Sequence, residues 1–324
     1  PAFALVLTVA ALYAFLNAPV ATDPATVRIA PGMTARDIAS SLSKGKVVRS
    51  ALFFRMVSRV KGYDGRFRSG RYTIPAGSST SEVARHLAET IPAPLDVRIT
   101  VTEGMNLREI AGLLAHKAGI DSSAFAAFAT RRAVAESLGV DNATLEGYLY
   151  PDTYFFPEKA KAYDVIKRMN ARFREVFADS LKRRAEKLGF TVNQAVTLAS
   201  LIETEAVHDS ERQVISSIFH RRLKAGLPLQ ANPTVQYALG EKRRVFNGDL
   251  DVDSPYNTYR NRGLPPGPIA CPGMKSIIAA LYPAETQYLY FVANGDGSHT
   301  FSKSLAEHSS AVARYKKTRL QRSK

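Results

Sequence analysis

The sequence contains one cysteine, Cys271. A single thiol excludes an internal disulfide framework and any cysteine-rich zinc site. Acidic residues are scarce beside basic ones: 29 Asp and Glu face 44 Lys and Arg, a formal charge of +15. That excess favours an anionic partner without choosing among nucleic acid, an acidic membrane surface and an acidic polymer. Part of it is local, because Arg314 to Lys324 carries six Lys/Arg and no acid and reads as a solvated tail. Several chemical motifs are missing. There is no P-loop, no dinucleotide glycine fingerprint and no H-E-x-x-H. There is no G-x-S-x-G elbow, and His208, His220, His299 and His308 lack metal-ligand spacing. No cofactor or metal is therefore expected. Over 324 residues, 45% hydrophobic and 23% charged, the composition is globular and excludes a wholly disordered or collagen-like chain.

Charge is also absent from Pro1 to Thr22. A run of about 20 apolar residues is long enough to cross a bilayer as one helix, whereas a signal-peptide core is about 7–15 residues. A buried core helix would show a polar stripe, and this segment offers only Thr8 and Asn17 before its end. The expectation is a membrane anchor over 1–22, with a cleaved signal as the alternative. The chain opens on Pro1 rather than Met, so residues are expected to precede it.

Three later segments align without gaps: VRIAPGMTARDIASSL (27–42), YTIPAGSSTSEVARHL (72–87) and ITVTEGMNLREIAGLL (99–114). Around Gly32, Gly77 and Gly104, each shows a period-2 apolar pair before the glycine and a helical apolar face after it. Thr34/Asp37, Ser79/Glu82 and Asn106/Glu109 have the spacing of capping boxes. A second helix, Ala51 to Val60, follows the first unit. Strand, helix, helix, strand is the layout of the small LysM carbohydrate-binding module, so residues 23–118 are expected to form a LysM-like α/β subdomain. A generic scaffold that binds nothing is the alternative, because layout alone does not establish function.

Residues 119–324 are expected to form a mixed α+β domain. Ser122 to Leu138 reads as one helix and Asp164 to Leu188 as a long amphipathic one. Between them LEGYLYPDTYFF (145–156) lacks helical period and reads as an aromatic loop. Its Tyr148, Tyr150, Tyr154 and Phe155 could line a sugar-binding wall. Packing is the alternative, preferred for Phe155 and Phe156. In the helix VNQAVTLASLIETEAV (192–207), Glu203 and Glu205 fall about 80° to either side of the apolar stripe, so the two carboxylates point apart. Glu203 shares its flank with Val192, Val196 and Ala199. An apolar setting raises a carboxyl pKa, as a general acid near neutral pH requires. Ser210 and Gln213 suggest a further capping box. LQANPTVQYALG (229–240) and DSPYNTYRNRGLPPGPIACPG (253–273) read as rigid polar loops suited to a polyhydroxylated ligand. YLYFVAN (288–294) reads as a strand, and Leu305 to Tyr315 as a final helix.

In order, LEGYLYPDTY, LASLIETEA with SER, HRRL, LQANPTVQYALG, SPYNTY with GLPPGPIACPG, and YLYFVANGDGSHTF cover most of residues 145–308. Together they resemble the endolytic murein transglycosylases, the YceG-like family. The resemblance implies a single-pass inner-membrane protein whose periplasmic bulk cuts nascent peptidoglycan strands and leaves 1,6-anhydro-MurNAc ends. It implies Glu203 as the catalytic residue. It also implies Glu146, Tyr148, Asp152, Tyr154, Gln230, Asn232, Thr234, Tyr237, Asn257 and Tyr259 as substrate-binding candidates. Peptidoglycan synthases are candidate partners, and nucleic acid is not expected. Asn232 stands where members commonly carry Asp, and Cys271 where Asn or Thr is usual. The rival reading from another class is a non-catalytic, membrane-anchored wall-binding scaffold.

Overall fold

The computed structural model describes residues 2–93 and 95–322, with side chains as far as Lys317; Pro1 and the last residues of the basic tail lie outside them. The chain divides into two compact units, residues 1–97 with 156–158, and residues 98–155 with 159–324.

The first unit contains α1 (Ala2–Asn17), β1 (Ala25–Ile29), α2 (Ala35–Lys44), α3 (Ala51–Val60), β2 (Gly70–Ile74) and α4 (Thr80–Glu89). β1 and β2 pair antiparallel, from Ala25 opposite Ile74 to Ile29 opposite Gly70. Their inward residues Val27, Ile29, Tyr72 and Ile74 meet Ile38 and Leu42 of α2, Phe54 of α3 and Leu87 of α4 in one core. The helices start where side chains satisfy their free N–H groups: Thr34 with Asp37, and Ser79 with Glu82, both close reciprocal capping boxes. Gly70 adopts φ +149°, and a Cβ there would lie 2.5 Å from Pro92.

α1 is exposed from Ala2 to Phe15. It ends at Asn17, where the Asn17 Oδ1 accepts from the Ser81 N–H (2.9 Å) and hydroxyl (2.7 Å), and the Thr80 hydroxyl donates to Leu16 O. Its 16 residues span about 24 Å at about 1.5 Å each. Among the described residues, no helix is long and apolar enough to cross a membrane.

β3 (Asp96–Thr100) pairs with β4 (Thr153–Pro157), and the chain passes from one unit to the other within these strands. The second unit then contains α5 (Leu107–Ala118), α6 (Ser122–Ala129), α7 (Arg132–Ser137), α8 (Ala162–Val176), α9 (Asp179–Lys187), α10 (Val192–Glu205), α11 (Arg212–Lys224), α12 (Asn232–Leu239), α13 (Met274–Leu281), β5 (Tyr290–Ala293), β6 (His299–Ser302) and α14 (Leu305–Arg322). β5 and β6 form an antiparallel hairpin. The third copy of the repeat opens this unit, with Asn106 and Glu109 capping α5 reciprocally.

α10 is the central helix. Every residue from Ala195 to Ile202 is buried, including Thr197 and Ser200. Ser200 stays satisfied by donating to Thr197 O and accepting from the Ile269 N–H. Five local readings change. The stretch read as a loop at 145–156 ends in β4. The helix expected over 122–138 breaks at Thr130 and Arg131. The one over 164–188 breaks at Phe177, which is buried at a non-helical ψ of 60°. Ser210 caps nothing: a short 3-10 turn covers Asp209–Glu211, and Gln213 donates instead to Tyr282 O. The stretch expected as a loop at 229–240 contains α12, started by Pro233 in its first turn, where a missing N–H costs nothing.

Candidate active site

The end of α10 carries two carboxyls with different surroundings. Glu203 has a side chain only 7% exposed. Its Oε1 accepts from Arg212 Nη1 at 3.0 Å, and its Oε2 accepts from the Gly273 N–H at 2.8 Å. Arg212 also donates to Asp209 (3.0 Å) and to the Ser276 hydroxyl. This corrects the expected apolar setting of Glu203. Helix periodicity reports only neighbours on the same helix, whereas Arg212 comes from α11 and Gly273 from the start of α13.

Glu205 leaves the helix in a different direction. It is half-buried and accepts from the Asn232 N–H, and desolvation pushes its carboxyl up to about 7. The Tyr259 hydroxyl donates to Asn232 Oδ1 at 2.7 Å. Burial, and then the charge of Glu205, push the Tyr259 phenol up to about 12. Glu205, Asn232 and Tyr259 thus form one connected group.

Glu146 is the third carboxyl. It is 3% exposed and takes the Leu107 N–H on its carboxylate (3.1 Å and 3.3 Å), at the first turn of α5. Tyr237 of α12 donates to its Oε2 at 3.2 Å. Burial pushes Glu146 up to about 7, and these donors oppose the shift. The turn beside it depends on Gly147, at φ +82°, where a Cβ would lie 2.5 Å from Pro268.

Glu146 borders a cleft of about 1030 Å³ whose lining also includes Glu103, Arg108, Thr204, Tyr237 and Lys242. Thr204 lies between the two α10 carboxyls, and Pro233 of α12 lines the same cleft. The rim is held by Lys242, which donates to Glu109 (2.7 Å) and Gly104 O, and by Arg108, which donates to Gly240 O (2.9 Å).

Of the sequence-derived candidates, Glu146 and Tyr237 line this cleft. The others have internal partners or other surroundings. Tyr148 is buried, donates to Asn193 Oδ1 and meets the Phe173 ring edge-on. Tyr154 is buried and donates to Tyr150 O. Asp152 accepts from Arg172 at 2.8 Å. Thr234 is buried against Thr258 and donates to Ala231 O. Asn257 is buried and donates to Leu250 O and Val252 O, which braces the 250s loop. Gln230 is exposed at φ 54°, and its N–H donates to Thr258 O. Phe155, expected to pack, is 49% exposed, whereas Phe156 is buried. Cys271 is fully buried, and burial pushes its thiol up. Arg212, Glu103 and Lys242 were not singled out; the SER motif, which contains Arg212, was the one signal pointing to any of them.

Comparison with known proteins agrees with the motifs. The chain is 36% identical over 315 residues to an endolytic murein transglycosylase of Bacillus subtilis (strain 168), covering 92% of this chain and 87% of the relative. It is 28% identical over 326 residues to an endolytic murein transglycosylase of Streptococcus pneumoniae serotype 2 (strain D39), covering 91% of this chain and 59% of that longer protein. The crystal structure of a YceG-like protein from Listeria monocytogenes superposes with a TM-score of 0.62 at 32% identity, over 90% of this chain and 99% of that one. The sequence profile of the YceG-like family matches residues 27–314, and the chain belongs to that family.

Proposed function

We propose that this chain is an endolytic lytic transglycosylase that cleaves the MurNAc–GlcNAc bond of peptidoglycan strands. The observation that carries the chemistry is a protonatable carboxyl at the end of α10, one residue from Thr204, which lines a cleft of glycan size. Such a lyase needs no second carboxylate to activate water, unlike a hydrolase with two flanking acids. The MurNAc 6-hydroxyl attacks its own anomeric carbon, so proximity replaces an external nucleophile. One carboxyl serves twice. It gives its proton to the departing GlcNAc oxygen, then takes the proton of the 6-hydroxyl as the 1,6-anhydro bond closes.

Geometry favours Glu205 for this role over the sequence assignment, Glu203. Glu205 is held near about 7 by desolvation and is half-buried, as Glu203 is. Glu203 is occupied on both oxygens by Arg212 and Gly273 and suits a positioning role, fixing the end of α10 against α11 and α13. Glu146 shares the raised proton affinity but is closed off by Leu107 and Tyr237, which suits a wall-forming role. Asn232 and Tyr259 then orient Glu205 or a sugar hydroxyl.

The remaining parts of the reading are a tether and a positioning unit. The exposed apolar α1 serves as part of a single-pass inner-membrane anchor, with the bulk of the chain periplasmic. The strand–helix–helix–strand unit assists substrate positioning in LysM fashion, and peptidoglycan synthases are the expected partners. The test is product analysis: purified protein on uncrosslinked glycan should release strands with 1,6-anhydro-MurNAc ends. Reducing ends, or no cleavage, would overturn the reading.

A further inference from the structure

The first unit presents a helix face whose composition is the reverse of a solvated one. α3 buries Phe53, Phe54, Val57 and Ser58 against the core. Its outer face carries Leu52, Met56 and Val60, which are 66%, 55% and 83% exposed. Spacing of four residues puts these three along one side, and Arg55 and Arg59 lie together on one edge of that stripe. Between Asp37 and Asp64 the chain carries six Lys/Arg and no acid. Asp37 is engaged by Thr34, and among the described residues neither Arg55 nor Arg59 forms an ion pair. An aliphatic stripe with two guanidinium groups along one side fits an interface that is apolar below and anionic above.

Its neighbour in the same unit says what covers it. α1, apolar and exposed, runs onto the start of α3. The Tyr13 ring meets Phe53 edge-on at 5.5 Å, the Arg49 guanidinium lies 4.8 Å from the Phe15 ring, and Arg49 donates to Pro19 O. α1 therefore meets α3 at Phe53, one residue from Leu52.

We propose that the outer face of α3 docks on an anionic phospholipid surface, with Leu52, Met56 and Val60 at the headgroup boundary and Arg55 and Arg59 on the phosphates. This rests on the reading of α1 as a membrane tether and adds that the unit lies against the bilayer instead of hanging free of it. Each basic residue at such a surface strengthens attachment about fivefold.

The test uses the full chain with Met56→Cys carrying an environment-sensitive dye; Cys271 is fully buried and does not compete. In phosphatidylglycerol/phosphatidylcholine vesicles the dye should shift to the blue and be quenched by headgroup-level spin-labelled lipid. The same dye at Lys187→Cys, in the second unit, should show neither. Arg55→Glu with Arg59→Glu should weaken quenching by about tenfold or more, chiefly in anionic vesicles. Leu52→Ser with Val60→Ser keeps the charges and should abolish the blue shift, with thermal melting matching the parent. If the chain floats with vesicles while the dye stays unquenched, this proposal fails and the tether stands. If the chain does not float, both fail. Shielding of the dye without vesicles, by soluble anionic glycan or by self-association, assigns the face to another occupant and overturns the proposal.

Discussion

Replacing Glu205 by Gln separates the two carboxyls of α10. Gln keeps the shape and accepts from the Asn232 N–H, but it cannot donate a proton as an acid. Held near about 7, the native carboxyl is about half protonated at pH 7. Loss of general acid–base catalysis typically costs about 10²–10⁴-fold, which is about 2.7–5.4 kcal/mol of barrier. The wild-type rate should fall about tenfold per unit above pH 7, where the proton is lost. Stability should move the other way. A carboxyl raised from 4.5 to about 7 holds its proton more tightly when folded, so ionising it destabilises the fold progressively between those values. The Gln variant lacks that penalty. It should melt like wild type at pH 4 and higher at pH 8, by up to about 3 kcal/mol, less where water reaches the carboxyl. Glu203→Gln should give the opposite pattern. It weakens the charge-assisted bond from Arg212, worth about 1.5–3 kcal/mol, and should lower the melting temperature at all pH values while sparing part of the activity. The assay is release of 1,6-anhydro ends, with melting curves on the same preparations. Near-wild-type product from a folded Glu205→Gln would refute the assignment. A dead Glu203→Gln with unchanged melting would return the role to Glu203.

Glu146→Gln keeps an acceptor for Leu107 and Tyr237 but removes a buried titration near about 7, so the decline of melting temperature between pH 5 and 7.5 should flatten in calorimetry. An undiminished pH slope would mean that Glu146 ionises freely in the folded state. Gly147→Ala combines a left-handed φ of +82° with a 2.5 Å approach to Pro268 and should cost about 3 kcal/mol or more in denaturant unfolding. A loss below about 1 kcal/mol would show that the turn yields easily. Protease added outside spheroplasts should digest both units if α1 tethers a periplasmic chain, and protection of both would reverse the orientation.

Features whose partners lie three or four residues apart were legible in the sequence. Asp37, Glu82 and Glu109 close the caps expected of them, because a capping box involves one turn and nothing else. The bounds of α3 and the alternation of β1 and β2 follow from equally local patterns. The family was legible for a related reason: ordered short motifs survive without knowledge of where they meet. The long helices failed at Thr130–Arg131, which are exposed, and at Phe177, where burial of one residue outweighed a continuous helical pattern. The polar loop residues misled for a similar reason. Thr234 and Asn257 have the donors and acceptors a sugar wants, but the fold turns them inward onto Ala231, Leu250 and Val252. The carboxyls show the division most clearly. Sequence named Glu146, Glu203 and Glu205 and set the last two in different directions. Only the tertiary structure gave Glu203 a guanidinium and an amide, and buried Glu146 beneath a helix end 39 positions away and a tyrosine 91 positions away. Proton affinity depends on water excluded and charges within a few ångströms, and chain folding alone decides which distant residues come that close.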